Sequence, residues 1–400
     1  MLGLPTFALA LSITTVTTYF PSVAKQFTGS TALIGLLIAS EGVLALWLPV
    51  VVGSWSDRVN TRLGKRLPFL VAGAPLLFSA LVLLGFVGSL WAAAVALVLF
   101  FAAYYAVYEP YRALYPDTVP ERMMSRAQST QALWRGAGTG LALTAGGLLL
   151  SLGQAGPFAA AAAVLLLAVG GFLAALRRLG TPKHDRPSPG GVGEELRRLP
   201  RLIRDRPPLR AFLAANALWE LALGALKTFV VLYITEGVGL SLTMSSAILG
   251  GAAVVVALAA RLSGSVGDRL GPARVVAAVV PVYGLGLLLP FVSQSPALVL
   301  PAGVVVAFGG GVLMALPYAL LTPLMPEGEH GALSGLYSMS RGIGIMLGPL
   351  LAGGAIELLR GPLSSTEGYA AMWLVCSVAV LASFPFILRL RRAEREGARP

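Results

Sequence analysis

The sequence is poor in the residues that make most catalytic sites. One cysteine, Cys376, stands inside an apolar run, so neither a disulfide nor a cysteine-based metal site can form within one chain. The only two histidines, His184 and His330, lie in polar stretches between apolar runs. No nucleophile stands beside a base in a recognisable pattern, and the phosphate-cradling G-x-x-x-x-G-K-[ST] loop is missing. These absences argue against an enzyme, an ATP-driven pump and a resident metal or cofactor. Charge is also scarce: 12% of the 400 residues are charged, against about 25% in soluble domains.

Apolar residues fill the gap. They make up 56% of the chain, and its mean hydropathy is +0.79. A helix needs roughly 20 mainly apolar residues to cross the hydrocarbon core. Twelve such segments are expected, near 2–24, 31–56, 67–89, 91–115, 126–151, 155–178, 209–234, 241–263, 273–293, 296–321, 332–357 and 369–390. Their length excludes a membrane barrel, whose strands are about ten residues of alternating polarity. The reading is an all-helical integral membrane protein. The first run has no basic residue before it and no small-residue cleavage site after it, so it is read as a span.

The net charge of +12 is unevenly placed. Arg58, Arg62, Lys65 and Arg66 follow the second segment, ten basic residues lie between Arg177 and Arg210, and Arg391, Arg392, Arg395 and Arg399 end the chain. The alternate loops hold only Lys25 and Arg360. Lysine and arginine concentrate on the cytoplasmic side, so both termini are expected there, in a bacterial cytoplasmic membrane. This distribution explains the excess charge without nucleic acid.

The chain repeats itself. Residues 179–208, rich in proline, glycine and arginine, separate an expected N-terminal bundle of six helices (1–178) from a C-terminal one (209–390), which a tail (391–400) follows. Asp57-Arg58 ends the second segment and Asp268-Arg269 the eighth, each four residues after a glycine. "PYRALYPDTVPE" from Pro110 is echoed by "PYALLTPLMPE" from Pro317. Fifteen residues after Pro120 and Pro326 come Arg135-Gly-Ala-Gly138 and Arg341-Gly-Ile-Gly344. Internal repeats of this kind mark secondary transporters, with substrate bound between halves that rock around it.

Over nearly its whole length the sequence resembles the major facilitator superfamily, whose loop pattern G-x-x-x-D-R-x-G is matched by Gly264, Asp268, Arg269 and Gly271. The first copy departs from it by the insertion "VNTR". Its longer form, D-R-x-x-T-R-x-G-K-R-x-P-F, and "RALYPDTVPERMMSRAQS" are similar to the glycoside-pentoside-hexuronide cation symporters and the sucrose transporters. The resemblance implies two six-helix bundles around a cavity, working as a monomer. It also implies that Asp57, Arg58, Arg62, Arg66, Asp268 and Arg269 form gating latches. A carboxylate at a span end can bind a helix N-terminus or an arginine and so clamp neighbouring helices; such a latch would break when the cytoplasmic side opens.

Ionisable residues at membrane depth are functional candidates. Glu41, Glu109 and Glu220 are the candidate coupling acids, and Arg112, Arg135, Lys227 and Arg341 the bases. Glu109 can pair with Arg112 or Arg135, and Glu220 with Lys227 or Arg341; such pairs would equally serve only to hold helices together. Glu41 has no base near it in sequence and no acid at the equivalent position near Ala252. A carboxyl that gains and loses a proton is what proton coupling requires, although carboxylates also serve sodium. Tyr104 and Tyr108 share a helical face with Tyr111 and Tyr115 and offer flat surfaces and hydroxyls to a sugar; the hydroxyl-rich run Ser12 to Phe20, with Asn216 and Trp219, extends the polar set. The expected function is cation-coupled symport of a small organic solute, a sugar or glycoside. The alternative is proton-coupled export of amphipathic compounds. It is weakened because the fifth segment, "RGAGTGLALTAGG", lacks the proline typical of drug antiporters.

Overall fold

The computed structural model describes residues 3–59, 61, 63–119, 123–179, 203–324 and 330–397. Among these the chain is helical. In order the elements are α1 (Gly3–Ala24), α2 (Thr31–Arg58), α3 (Leu67–Gly85), α4 (Leu90–Thr118), α5 (Met124–Leu152), α6 (Gly156–Leu179), α7 (Pro207–Leu232), α8 (Leu242–Leu270), α9 (Pro272–Val292), α10 (Pro296–Ala315), α11 (His330–Leu358), α12 (Ala371–Ala382) and α13 (Phe384–Gly397). α13 continues the last membrane segment after a break at Ser383. Eleven helical segments among the described residues are long and apolar enough to cross a bilayer. The long helix outside that set is α5, whose first turns read Met-Ser-Arg-Ala-Gln-Ser-Thr-Gln.

The helices begin and end for local reasons. Ser89 caps α4 by accepting a hydrogen bond from the Ala92 amide at 3.2 Å. Proline opens α7, α9 and α10, where a missing amide hydrogen costs nothing. Gly271, at φ +88°, sits between α8 and α9 in a conformation that side-chain-bearing residues avoid.

The chain divides into two compact units that do not follow its halves. Unit 1 comprises residues 1–28, 47–192 and 242–250; unit 2 comprises 29–46, 193–241 and 251–400. Within unit 1, α1 packs on α5 and α6, and α3 on α4 and α6. Within unit 2, α7 packs on α11 and α12, and α9 on α10 and α12. The same pairing scheme therefore appears twice, as a duplicated sequence would produce.

Glycine permits the closest approaches. In unit 2 a Cβ on Gly348 would run into the Leu221 carbonyl of α7, and one on Gly35 or Gly42 into the backbone of α11 at Pro349 or Met346. In unit 1 a Cβ on Gly138 would strike the Phe7 carbonyl of α1, and one on Gly147 the Leu242 carbonyl of α8. Small residues at such crossings let helix backbones meet, the usual solution where lipid supplies no hydrophobic drive. Gly311 likewise meets the Val256 carbonyl, so the Gly309-Gly310-Gly311 run is a packing feature of α10.

Candidate functional site

Unit 2 gathers four of the seven ionisable residues expected at membrane depth. Glu220 on α7 accepts a hydrogen bond from Arg341 Nε on α11 at 2.8 Å, a pairing the sequence had left open against Lys227. Glu41 comes from the first half of α2. It is 9% exposed, and its carboxylate lies in the electrostatic field of Lys227, Arg341 and Glu220. No hydrogen bond or ion pair engages that carboxylate among the described residues. The acid with no base near it in sequence is thus brought to two bases by the fold. Lys227 is exposed and makes no ion pair among the described residues.

The polar neighbours of Glu220 are placed otherwise than expected. Asn216 and Trp219 are each 1% exposed. Asn216 donates to Ser340 Oγ at 2.8 Å, and the Trp219 indole donates to Ser383 Oγ at 2.9 Å. Their polar atoms are engaged inside the α7–α11–α12 packing, where they hold the helix bearing Glu220.

Unit 1 holds the other three. Glu109 and Arg112 lie on one face of α4, 4.0 Å apart. Arg135 on α5 is exposed and donates to the Tyr108 hydroxyl at 3.3 Å. Tyr108 stacks on Tyr104 with ring centres 5.3 Å apart and planes 13° from parallel. Tyr111 and Tyr115 form a buried knot with Thr6, whose hydroxyl lies 2.7 Å from that of Tyr111. The four-tyrosine face therefore splits into a stacked pair beside Arg135 and a structural pair. In α1, Ser12 and Thr17 donate to carbonyls one turn earlier, at 2.8 and 2.9 Å. An apolar pocket of about 220 Å³ between α1, α5 and α6 is lined by residues such as Leu11, Leu141 and Val164 and contains no ionisable group.

The two Asp-Arg loops differ. In the first, Thr61 and Gly64 close a tight turn: the Gly64 amide donates to the Thr61 carbonyl at 2.9 Å, and the Thr61 hydroxyl to the Gly64 carbonyl at 2.8 Å. Gly64 supplies the left-handed φ of +89°. The turn returns Arg66, which stands just before α3, to Asp57 and Ser56 at the end of α2, where it pairs with both. Arg58 is exposed, and Arg62 lies outside the described residues. In the second loop Asp268 and Arg269 are exposed and form no ion pair among the described residues. The chain there enters α9 at Pro272 without the inserted turn, and the Glu394 carboxylate occupies the space a side chain at 271 would fill.

One inter-helix anchor escaped sequence reasoning. Glu357, near the end of α11, accepts from the Ser30 hydroxyl at 2.6 Å and the Ala32 amide at 3.0 Å, capping α2. Thr31 donates to the Gly353 carbonyl at 2.9 Å, and Arg360 to the Gly29 carbonyl at 3.0 Å. In unit 1 the start of α8 is held more lightly. The Gly147 amide donates to Ser246 Oγ at 2.8 Å, and the Tyr19 hydroxyl, which donates to the Leu143 carbonyl at 2.8 Å, lies 3.5 Å from the same Ser246 Oγ. Ser30-Thr31 before an apolar run is a capping signal, but nothing in it names a distant carboxylate.

Comparison with known proteins agrees with this architecture. The superfamily pattern described as Major Facilitator Superfamily matches residues 2–263 and 220–400. Two uncharacterised transporters of this type from Mycobacterium tuberculosis are 30% identical over 119 residues, which is 30% of this chain and 17% of theirs. The chain thus matches less than a fifth of those relatives' length. A bacterial homologue of the human lysosomal transporter Spinster, inward-facing and unoccupied, superposes with a TM-score of 0.79 at 16% identity, covering 98% of this chain and 95% of the other. The nucleoside transporter NupG superposes with a TM-score of 0.74 at 15% identity, covering 98% and 100%. At these identities the likeness is one of fold. With the superfamily pattern spanning both halves of an all-helical membrane chain, the conclusion is that this protein is an integral membrane transporter belonging to the Major Facilitator Superfamily.

Proposed function

We propose that this transporter moves a sugar or glycoside in symport with a proton, by alternating access in a bacterial cytoplasmic membrane. The observation that carries the reading is Glu41, a nearly buried carboxyl in the electrostatic field of Lys227 and Arg341 while Glu220 is already engaged by Arg341. Burial in a medium of low dielectric disfavours the charged form of a carboxyl, and nearby cations favour it. A small change in the distance to Lys227 or Arg341 therefore changes the proton's hold on Glu41, and helix movement becomes linked to proton binding. The loop after α2 and the stretch from Arg112 to Ser129, similar to the glycoside cation symporters, support the substrate class.

The test is uptake of labelled sucrose, maltose and a simple pentoside into liposomes under an imposed proton gradient. Wild-type protein is expected to accumulate one of them. Glu41→Gln is expected to lose accumulation by at least about tenfold while still exchanging substrate across the membrane. Absence of sugar uptake under any gradient would sink the sugar reading in favour of export of amphipathic compounds. Unimpaired accumulation by Glu41→Gln would remove Glu41 from coupling.

A further inference from the structure

Within unit 2, α7 runs antiparallel to the last membrane segment and packs on both α12 and α13. Their register is marked by two hydrogen bonds, from the Trp219 indole to Ser383 Oγ at 2.9 Å and from Cys376 Sγ to the Ala222 carbonyl at 3.4 Å. Nine residues lead back from Trp219 to Arg210, and nine lead on from Ser383 to Arg392. Either path is about 14 Å of helix, so Arg210 at the start of α7 comes level with Arg389, Arg391 and Arg392 on α13. These arginines end two apolar spans, Pro207–Gly237 and Ala371–Arg392, where hydrocarbon gives way to headgroups. None of the four forms an ion pair among the described residues.

The described acids at that end of unit 2 do not offset them. Asp205 pairs with Arg204 at 3.8 Å, Glu394 fills the space beside Gly271, and Asp268 is exposed without an ion pair among the described residues. Arg391 adds a specific need. It follows the buried Ser383 and Ile387 at four-residue steps, so its stem is drawn toward the packed face of the helix. Its Nε is buried and has no hydrogen-bond partner among the described residues. A buried charged donor without an acceptor is costly. Membrane topology asks only for positive charge on one side; it does not ask for a buried N–H.

From these placements we infer that the start of α7 and the basic turns of α13 form a binding site for an acidic phospholipid, in the leaflet where the chain ends. Arg391 lies at its centre, and Arg210, Arg389 and Arg392 surround it. A guanidinium is always charged and presents a fork of donors that fits two oxygens of a phosphate. Basic pockets between membrane helices at the headgroup level suit acidic lipids for that reason. The neighbouring turn favours a lipid over a soluble anion. Phe384, Phe386 and Leu388, which precede the arginines on the bilayer side, are partly exposed, and the Arg389 guanidinium lies 5.8 Å from the centre of the Phe386 ring. Acyl chains can lie along these side chains while the phosphate meets the arginines. Such a site does not depend on the identity of the transported solute.

The experiment is lipid retention by purified full-length protein, read by native mass spectrometry after exposure to equal amounts of dioleoyl phosphatidylglycerol and dioleoyl phosphatidylcholine. Each arginine near an acidic headgroup contributes roughly fivefold in affinity, so wild-type protein should prefer phosphatidylglycerol by at least about tenfold. Arg391→Gln combined with Arg392→Gln should cut that preference to about twofold or less. Arg58→Gln combined with Lys65→Gln removes the same charge from the first Asp-Arg loop and should leave the preference within about twofold of wild type. Equal retention of the two lipids by wild-type protein overturns the inference. So does a loss at Arg58 and Lys65 as large as that at Arg391 and Arg392, which would make the preference a general effect of basic loops. Glycerol 3-phosphate supplies a phosphate without acyl chains; if it displaces phosphatidylglycerol at equal concentration, the site takes a soluble phosphate and the lipid assignment falls. The wild-type comparison and the Arg58 and Lys65 pair decide the matter even if the α13 variant fails to fold.

Discussion

Arg135 and Arg341 come from the same repeated motif, each opening an Arg-Gly-x-Gly run fifteen residues after a proline. Their partners differ. Arg341 is held by a carboxylate on α7 at 2.8 Å; Arg135 is held by a tyrosine on α4 at 3.3 Å and is exposed. The helix segments beside them repeat the contrast: the start of α8 belongs to unit 1 and meets Tyr19 and Gly147 through Ser246, whereas the first half of α2 belongs to unit 2 and carries Glu41 into the field of Lys227, Arg341 and Glu220. The repeated motif has been given two chemistries, one arginine paired with a carboxylate and the other with a phenol.

The shared frame is the firmest part of the comparison, and breaking it should have the largest effect. Gly138→Leu and Gly348→Leu each force a side chain into a neighbouring helix's carbonyl. Both are expected to reduce folded, monodisperse protein more than about tenfold by size-exclusion chromatography, because overpacking against backbone has no rotamer escape. Tolerance of one alone would show that the seams are not equivalent.

The next effect should separate the two arginines. Glu220→Gln removes the countercharge of Arg341 and is expected to lower stability by roughly 1–3 kcal/mol, read as a fall in melting temperature in detergent. Tyr108→Phe takes only a neutral partner from Arg135, and a loss of about 1 kcal/mol or less is expected. Equal losses would contradict the difference drawn here.

The Asp-Arg loops give a smaller contrast. Asp57→Asn weakens the pairing with Arg66, and we expect the liposome transport rate to fall several-fold. Asp268→Asn removes no ion pair among the described residues, and its rate should stay within about twofold of wild type. The smallest change expected is Ser246→Ala, which deletes one hydrogen bond to the Gly147 amide. It should shift the melting temperature by no more than the equivalent of about 1 kcal/mol.

Much of this was legible in the sequence because it depends on long apolar runs and repeated spacings. The helices, the duplication, and the short lists of acids and bases follow from segment length and from the cost of charge in lipid. The partners were harder to read. That Glu220 takes Arg341 rather than Lys227 depends on how α7 faces α11, which spacing along either helix does not fix. Asn216 and Trp219 read as cavity residues because they are polar near Glu220, yet their helix turns them into the packing, where Ser340 and Ser383 satisfy them. The Asp57 loop shows the opposite case. Its inserted "VNTR" was visible, but only the Thr61–Gly64 turn explains the insertion, as the means of returning Arg66 to the end of α2.

The cap on α2 has a consequence for how the protein is made. Ser30 and the carboxylate that receives its hydroxyl are separated by 327 positions along the chain. At translation speeds of about 5–20 residues per second, roughly 15 to 65 s pass between synthesis of the first turn of α2 and synthesis of its cap. A helix made early is therefore completed late, and a nascent chain stalled before residue 357 would hold an α2 whose opening turn still lacks its anchor.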